Sequence, residues 1–267
     1  MLEDNLDSAG TTSTIDDDLA IDAPTAAIED TSFTYQMLHL VDSLYLPTGY
    51  EDDLRTGFNG EVTALQVTSG SAAFQQVVSN FLHRLLDAPM GGPTNEAFYL
   101  RYLEQRKKAY RKEMEPQIGN DEVNFGYFNS REEVPMKAAL NKSELFTLST
   151  YRYYYGGGAY GNYGTTLLSF TDNPARALSK EDIFAGGNDE AIGKMLKHAD
   201  ATRLYETPTI PVTKNLGLTT QGVEFIYLPY EIDTRGNGHL NITLPLDTLL
   251  MGDLLTPYGR TLLERLR

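Results

Sequence analysis

The chain has 267 residues, a formal charge of −15, and no cysteine or tryptophan. That length can bury two cores. The missing cysteines exclude disulfides, thiolate zinc sites and cysteine nucleophiles, and the acidity argues against nucleic acid as a partner, because phosphate contacts need Lys and Arg.

Residues 1–30 hold nine acids and no Lys or Arg, so more than half of the net charge sits there. With few large apolar residues, this head cannot offset its ordering entropy and is expected to be a disordered tether. The start, MLEDNLDSAG, lacks the basic and apolar regions of a secretory leader. No run approaches the roughly 18 apolar residues of a membrane span. An acidic, flexible, cysteine-free head fits a lipoprotein whose leader and lipidated Cys precede residue 1.

Alternation over Ser32–Leu46 predicts a first strand with Phe33, Tyr35, Met37 and Leu40 on one face, and residues 60–68 predict a second. Ser71 then caps a helix whose Phe74, Val77, Val78, Phe81, Leu82, Leu85 and Leu86 recur at helical spacing until Pro89 and Gly91. His83, inside it, reads as surface or structural. A second helix is expected over Asn95–Met114. Its basic run, Arg106 to Lys112, reads as a solvated face. From Val123 the pattern is β, ending in LFTLSTYRYYY (145–155) with its β-branched and aromatic residues. TTLLSF (165–170) continues it.

Ser179 and Asp182 have capping-box spacing. Ile192, Met195, Leu196 and Ala199 line one face of a further helix. Residues 215–232 read as a hairpin around Gln221-Gly222, and 239–246 as a strand. Asp247 is expected to cap a short helix, and Thr256-Pro257 to start the last one. The result is an α+β fold: two α+β domains, 31–145 and 146–267, with antiparallel sheets and helices packed on one side.

Few motifs carry chemistry. Gly156, Gly158 and Gly161 match G-x-G-x-x-G, but a β-rich stretch follows where a phosphate-binding helix is needed. TSGSA (68–72) fails the nucleophile-elbow spacing. His39, His83, His198 and His239 have no metal-ligand spacing. Asn141-Lys142-Ser143 and Asn241-Ile242-Thr243 match glycan acceptors, as many chance triplets do. No catalytic residue, metal ligand or cofactor is assigned.

The stretch YRYYYGGGAYGNYG (151–164) remains. Alternate strand residues face opposite ways, so Tyr151, Tyr153 and Tyr155 share one side and Arg152 and Tyr154 the other. Tyrosine suits a rim or an interface, and glycines permit tight turns. The stretch reads as an aromatic loop closing a sheet, or as that loop serving recognition. The ligand-binding candidates are Tyr153, Tyr155, Gly157, Gly158, Tyr160, Asn162 and Tyr163.

YYYGGGAYGNYGTTLLSF (153–170), LSKEDIF (178–184), LTTQGVEFIYLPYEI (218–232) and NITLPLDTL (241–249) follow one order. That order resembles the domain of unknown function at the C-terminus of RsiV-type anti-sigma factors and PdaC-type peptidoglycan deacetylases. Gly157-Gly158-Ala159, Leu178, Asp182-Ile183-Phe184, Pro229-Tyr230-Glu231-Ile232 and Leu246 fill the family's places. Tyr160 stands where the family usually has His. The resemblance covers about 145–267; the preceding part is similar to the usual N-terminal partner domain in order of elements alone.

The resemblance implies a non-enzymatic cell-envelope binding protein, a lipoprotein ectodomain in the periplasm or on the cell surface. Its partner would be a protein, lysozyme in RsiV-type sensors, or a cell-wall glycan. Nucleic acid is not expected, and membrane contact only through a lipid anchor. The alternatives are an envelope glycan hydrolase using an unidentified carboxylate pair, and a purely structural lipoprotein.

Overall fold

The computed structural model describes residues 33–46, 57–120, 128–142, 144–157, 159–200, 207–232 and 239–267. The expected tether at 1–30 and the stretch from Val123 to Tyr127 lie outside them.

Six strands form one sheet in chain order: β1 (Tyr35–Tyr45), β2 (Gly57–Val67), β3 (Ser130–Lys142), β4 (Leu145–Tyr155), β5 (Asn162–Asp172) and β6 (Ala175–Ala177). Neighbours are antiparallel except β2 and β3, which run parallel. Two helices, α1 (Ala72–Leu85) and α2 (Glu96–Met114), intervene there, which is the long connection a parallel pair requires. The second sheet contains β7 (Leu216–Thr219), β8 (Gly222–Tyr227) and β9 (Leu240–Pro245), all antiparallel. It packs with α3 (Lys180–Ile183), α4 (Asp189–Ala199), α5 (Leu246–Met251) and α6 (Pro257–Glu264). This is the α+β class expected from the sequence.

The helices between β2 and β3 are capped by the expected Ser71 and by Asn95, the expected first residue of the second helix. Ser71 Oγ accepts from Phe74 N at 3.1 Å, and Asn95 Oδ1 accepts from Phe98 N at 3.2 Å. Ser71 N also donates to Asp172 at 2.9 Å, tying the start of α1 to the end of β5. Ser179 and Asp182 form the predicted capping box. Thr256 caps α6, with Pro257 at its first position. Asp247, expected to cap α5, instead lies in its first turn, two places after Pro245, which holds the cap position because the helix already begins at Leu246.

The large sheet separates two cores. Phe146 and Leu148 of β4 join Val62, Phe74, Leu82 and Leu103 on the face covered by α1 and α2. Leu145 joins Leu140, Leu218, Phe225 and Leu263 on the face that meets the small sheet. Alternation along one strand therefore feeds two cores. The boundary expected at 145–146 falls inside β4, after its first residue, and β4 is paired with β3 from Lys142↔Leu145 onward. The two expected halves share one sheet.

The first strand turns its expected face outward. Phe33 is buried, but Tyr35 and Met37 are 38% and 49% exposed, while Leu38 and Leu40 pack on the core. Both rows of β1 are apolar, so alternation alone cannot choose between them; α2 docking on one side does. Asn141, first residue of a glycan-acceptor triplet, is also buried. Its amide accepts from Phe33 N at 3.0 Å and donates to Phe33 O at 2.8 Å, holding the chain ahead of β1.

Candidate functional site

The small sheet covers only part of the large sheet. Where it covers, the contact is polar as well as apolar. Thr147 Oγ1 donates to Leu218 O at 2.7 Å, and Ser169 Oγ lies 2.7 Å from Thr147 Oγ1 and accepts from Leu218 N at 2.7 Å. Asn215 accepts from Leu167 N at 2.9 Å and donates to Thr165 O at 2.7 Å, so its amide completes the strand pairing there. A Cβ on Gly217 would stand 2.7 Å from Leu167 and 3.0 Å from Thr147; glycine lets β7 lie that close.

Beyond this contact the same sheet face is open. Register aligns Val41, Glu61, Glu133, Tyr153 and Tyr163 in one row across β1 to β5. A second row begins His39, Thr63 and Pro135 and continues at Tyr151 and Thr165. The carboxylates have cationic neighbours: Glu133 pairs with Arg131, and Glu61 lies 3.7 Å from His39. His39 is charged only when protonated.

An aromatic panel floors the far end. Tyr163 and His239 stack at 4.9 Å with rings 17° apart, and Tyr151 lies 6.4 Å from Tyr163. Thr165 Oγ1 sits 3.0 Å from His239 Nδ1 and sets the ring's orientation. Burial lowers the His239 pKa, partly offset by a hydrogen bond that the ring donates to the Tyr163 backbone, so the ring is neutral near pH 7. The Tyr151 pKa is raised by burial and by the nearby charge of Glu133. Leu228 and Tyr230 stand 40% and 73% exposed; Tyr230 has a left-handed φ of 68°, where β8 has already given way to a turn.

The candidates read from the sequence divide in three. Tyr153 and Tyr163 face each other in register and belong to the open face. Tyr153 also closes the turn, since a Cβ on Gly161 would stand 2.4 Å from its ring. Tyr155 continues that side of β4, half-buried, opposite Arg131. Asn162 pairs with Tyr154, and so belongs to the other face, where Tyr154 lies under Arg106 at 5.2 Å. Gly157 is the positive-φ residue of the turn, at φ 82°. Tyr160 is 90% exposed at its tip. Gly158 lies outside the described residues.

Sequence reasoning missed His239, Glu61, Glu133 and His39. None belongs to a contiguous motif: Glu61, Glu133 and His39 lie on three different strands, His239 just ahead of β9, and only the folded sheet brings them to the tyrosine face. The basic run of α2 is exposed at Lys108, Arg111 and Lys112, as read, but Arg106 reaches the fully buried Glu132, and Lys107 pairs with Glu104 at 2.8 Å and with Asp42 of β1. His83 is 2% exposed, with Nε2 3.2 Å from Gly92 O, a structural residue as read.

No protein-family model and no curated protein matches the sequence. Solved structures do. A DUF3298 family member from Bacteroides fragilis superposes with a TM-score of 0.75 at 20% identity, over 89% of this chain and 98% of that one. The fold is that of DUF3298 family proteins. A second, from Pseudomonas aeruginosa, aligns with a TM-score of 0.59 at 17% identity, over 86% of this chain and 97% of that one. Both coverages extend well beyond 145–267, so the DUF3298 likeness takes in the large sheet, its helices and the small sheet together.

Proposed function

We propose that this chain is a non-enzymatic binding protein of the cell envelope, a lipoprotein ectodomain that recognises a cationic protein through its open sheet face. The observation that carries the reading is the Tyr163–His239 stack standing in register with Glu61 and Glu133 on an uncovered face. Tyrosines supply contact area with little entropy to lose, and carboxylates select a basic partner. The resemblance to RsiV-type sensors makes lysozyme the first protein to try.

The test is calorimetric titration of the chain with lysozyme at low and high salt, repeated with Tyr163→Ala. Micromolar binding that weakens with salt, and at least about tenfold in the variant, is the expected result. Binding of soluble peptidoglycan fragments instead, lost in the same variant, would reassign the face to a cell-wall glycan. Binding of neither ligand removes the proposal.

The adjacency of Glu61 and Glu133 gives the hydrolase reading its one foothold. Release of reducing ends from peptidoglycan, abolished by Glu133→Gln, would establish it.

A further inference from the structure

On the opposite side of the same sheet, we infer that the pocket between α2 and the start of the β4–β5 turn binds a carboxylate group. The pocket has a volume of about 70 Å³ and is bounded by Phe58, Arg106, Tyr110, Glu113, Ser130 and Tyr154. On that measure a water takes about 10–15 Å³, so a small anion fits.

Three observations point to an anion. The first is the free end of Arg106. Its Nε donates to Glu132 and its plane lies over the Tyr154 ring, at 5.2 Å, and among the described residues it has no other partner. A guanidinium carries five N–H donors, and the paired Nη groups form the fork that matches a carboxylate. Tyr154 and Glu132 hold that fork in place before any ligand arrives.

The second is charge. The fully buried Glu132 faces two guanidiniums, Arg106 and, at 3.3 Å, Arg152; Tyr102 donates to it as well. The other acid near Arg152 is Asp87, at 3.6 Å and 85% exposed, where water screens it. Glu132 therefore answers only one of the two guanidinium charges, and Glu113 is the carboxylate of the pocket wall.

The third is Ser130. It lines the pocket, is 6% exposed, and its hydroxyl has no hydrogen-bond partner among the described residues. A carboxylate taking both Nη groups of Arg106 can also accept from this hydroxyl.

Glu113 also lines the pocket. Its carboxylate repels a doubly charged ligand more than a singly charged one, so the pocket favours a monoanion over a phosphate dianion. A free small carboxylate and the C-terminus of a peptide present the same group.

The experiment is an NMR titration of the isotope-labelled chain with acetate, with inorganic phosphate, and with a dialanine peptide as free acid and as amide. Saturable shifts at the Ser130 and Tyr154 amides and at Arg106 Nε are expected, with acetate stronger than phosphate. Acetate saturation indicates a free small carboxylate. Stronger binding of the peptide acid, absent in the amide, indicates a peptide terminus.

Because Arg106 also braces Glu132, two milder variants carry the decision. Ser130→Ala should weaken binding about tenfold, the loss of one charge-assisted hydrogen bond, and Glu113→Gln should tighten it. Shifts that do not saturate, or that ignore both variants, overturn the proposal. So does a Glu113→Gln chain that melts earlier and binds nothing, since Glu113 itself would then be the anion serving the pocket.

Discussion

Two stretches of the same strand, on the same sheet face, meet different fates. Leu145 and Thr147 of β4 lie under the small sheet and are fully buried; Tyr151, Tyr153 and Tyr155, a few residues on, are only half-buried. The chain's local character barely changes along β4. What changes is the lid: β7 approaches through Gly217, and Asn215 closes the contact at Leu167 and Thr165. Past that point the face needs residues tolerant of both packing and water, and tyrosine meets that need.

Lifting the lid should have the largest effect. Gly217→Val drives a side chain into Leu167 and Thr147, and overpacking of this kind costs about 1–3 kcal/mol or more. Urea unfolding should show the loss, and hydrogen exchange should show β7 opening.

Thr147→Val keeps the shape but strands Leu218 O and the Ser169 hydroxyl proton in a buried place. About 1–3 kcal/mol should be lost. The same unfolding assay checks it, and an unchanged midpoint would mean that packing, not hydroxyl pairing, holds the lid.

In the open stretch the balance reverses. Tyr163→Ala should cost about 1 kcal/mol of stability, the value of one aromatic contact, while removing most partner affinity. A stability loss as large as that of Gly217→Val would place Tyr163 in the structural framework.

The smallest effect is pH-dependent. Burial lowers the folded pKa of His239 below its ordinary 6.5. The unfolded chain therefore takes up the proton first as pH falls. The His239 contribution is complete above pH 6.5 and is lost on acidification through the lowered folded value. His239→Gln should flatten this part of a stability-against-pH curve between pH 7 and 5.

How much of this was legible depended on range. The caps at Ser71, Ser179 and Thr256 were readable because a cap is decided within four residues. The tyrosine stretch was readable as a candidate for the same reason: it is contiguous. The inward row of β1 was not, since Leu38 and Leu40 versus Tyr35 and Met37 are equally apolar choices. Nor was Arg106, whose partner Glu132 lies on another strand, or His239, which meets Tyr163 only through the folded sheet.

By itself the sequence determined the elements, their order, and the α+β class, because hydrophobic period and capping act over a few residues. Tertiary structure alone decided that the two expected halves share one sheet, which face of it stays uncovered, and which lone polar residues stand beside the tyrosines there. Those are matters of register and of what packs on what. Register joins residues far apart in the chain, and no local pattern encodes it.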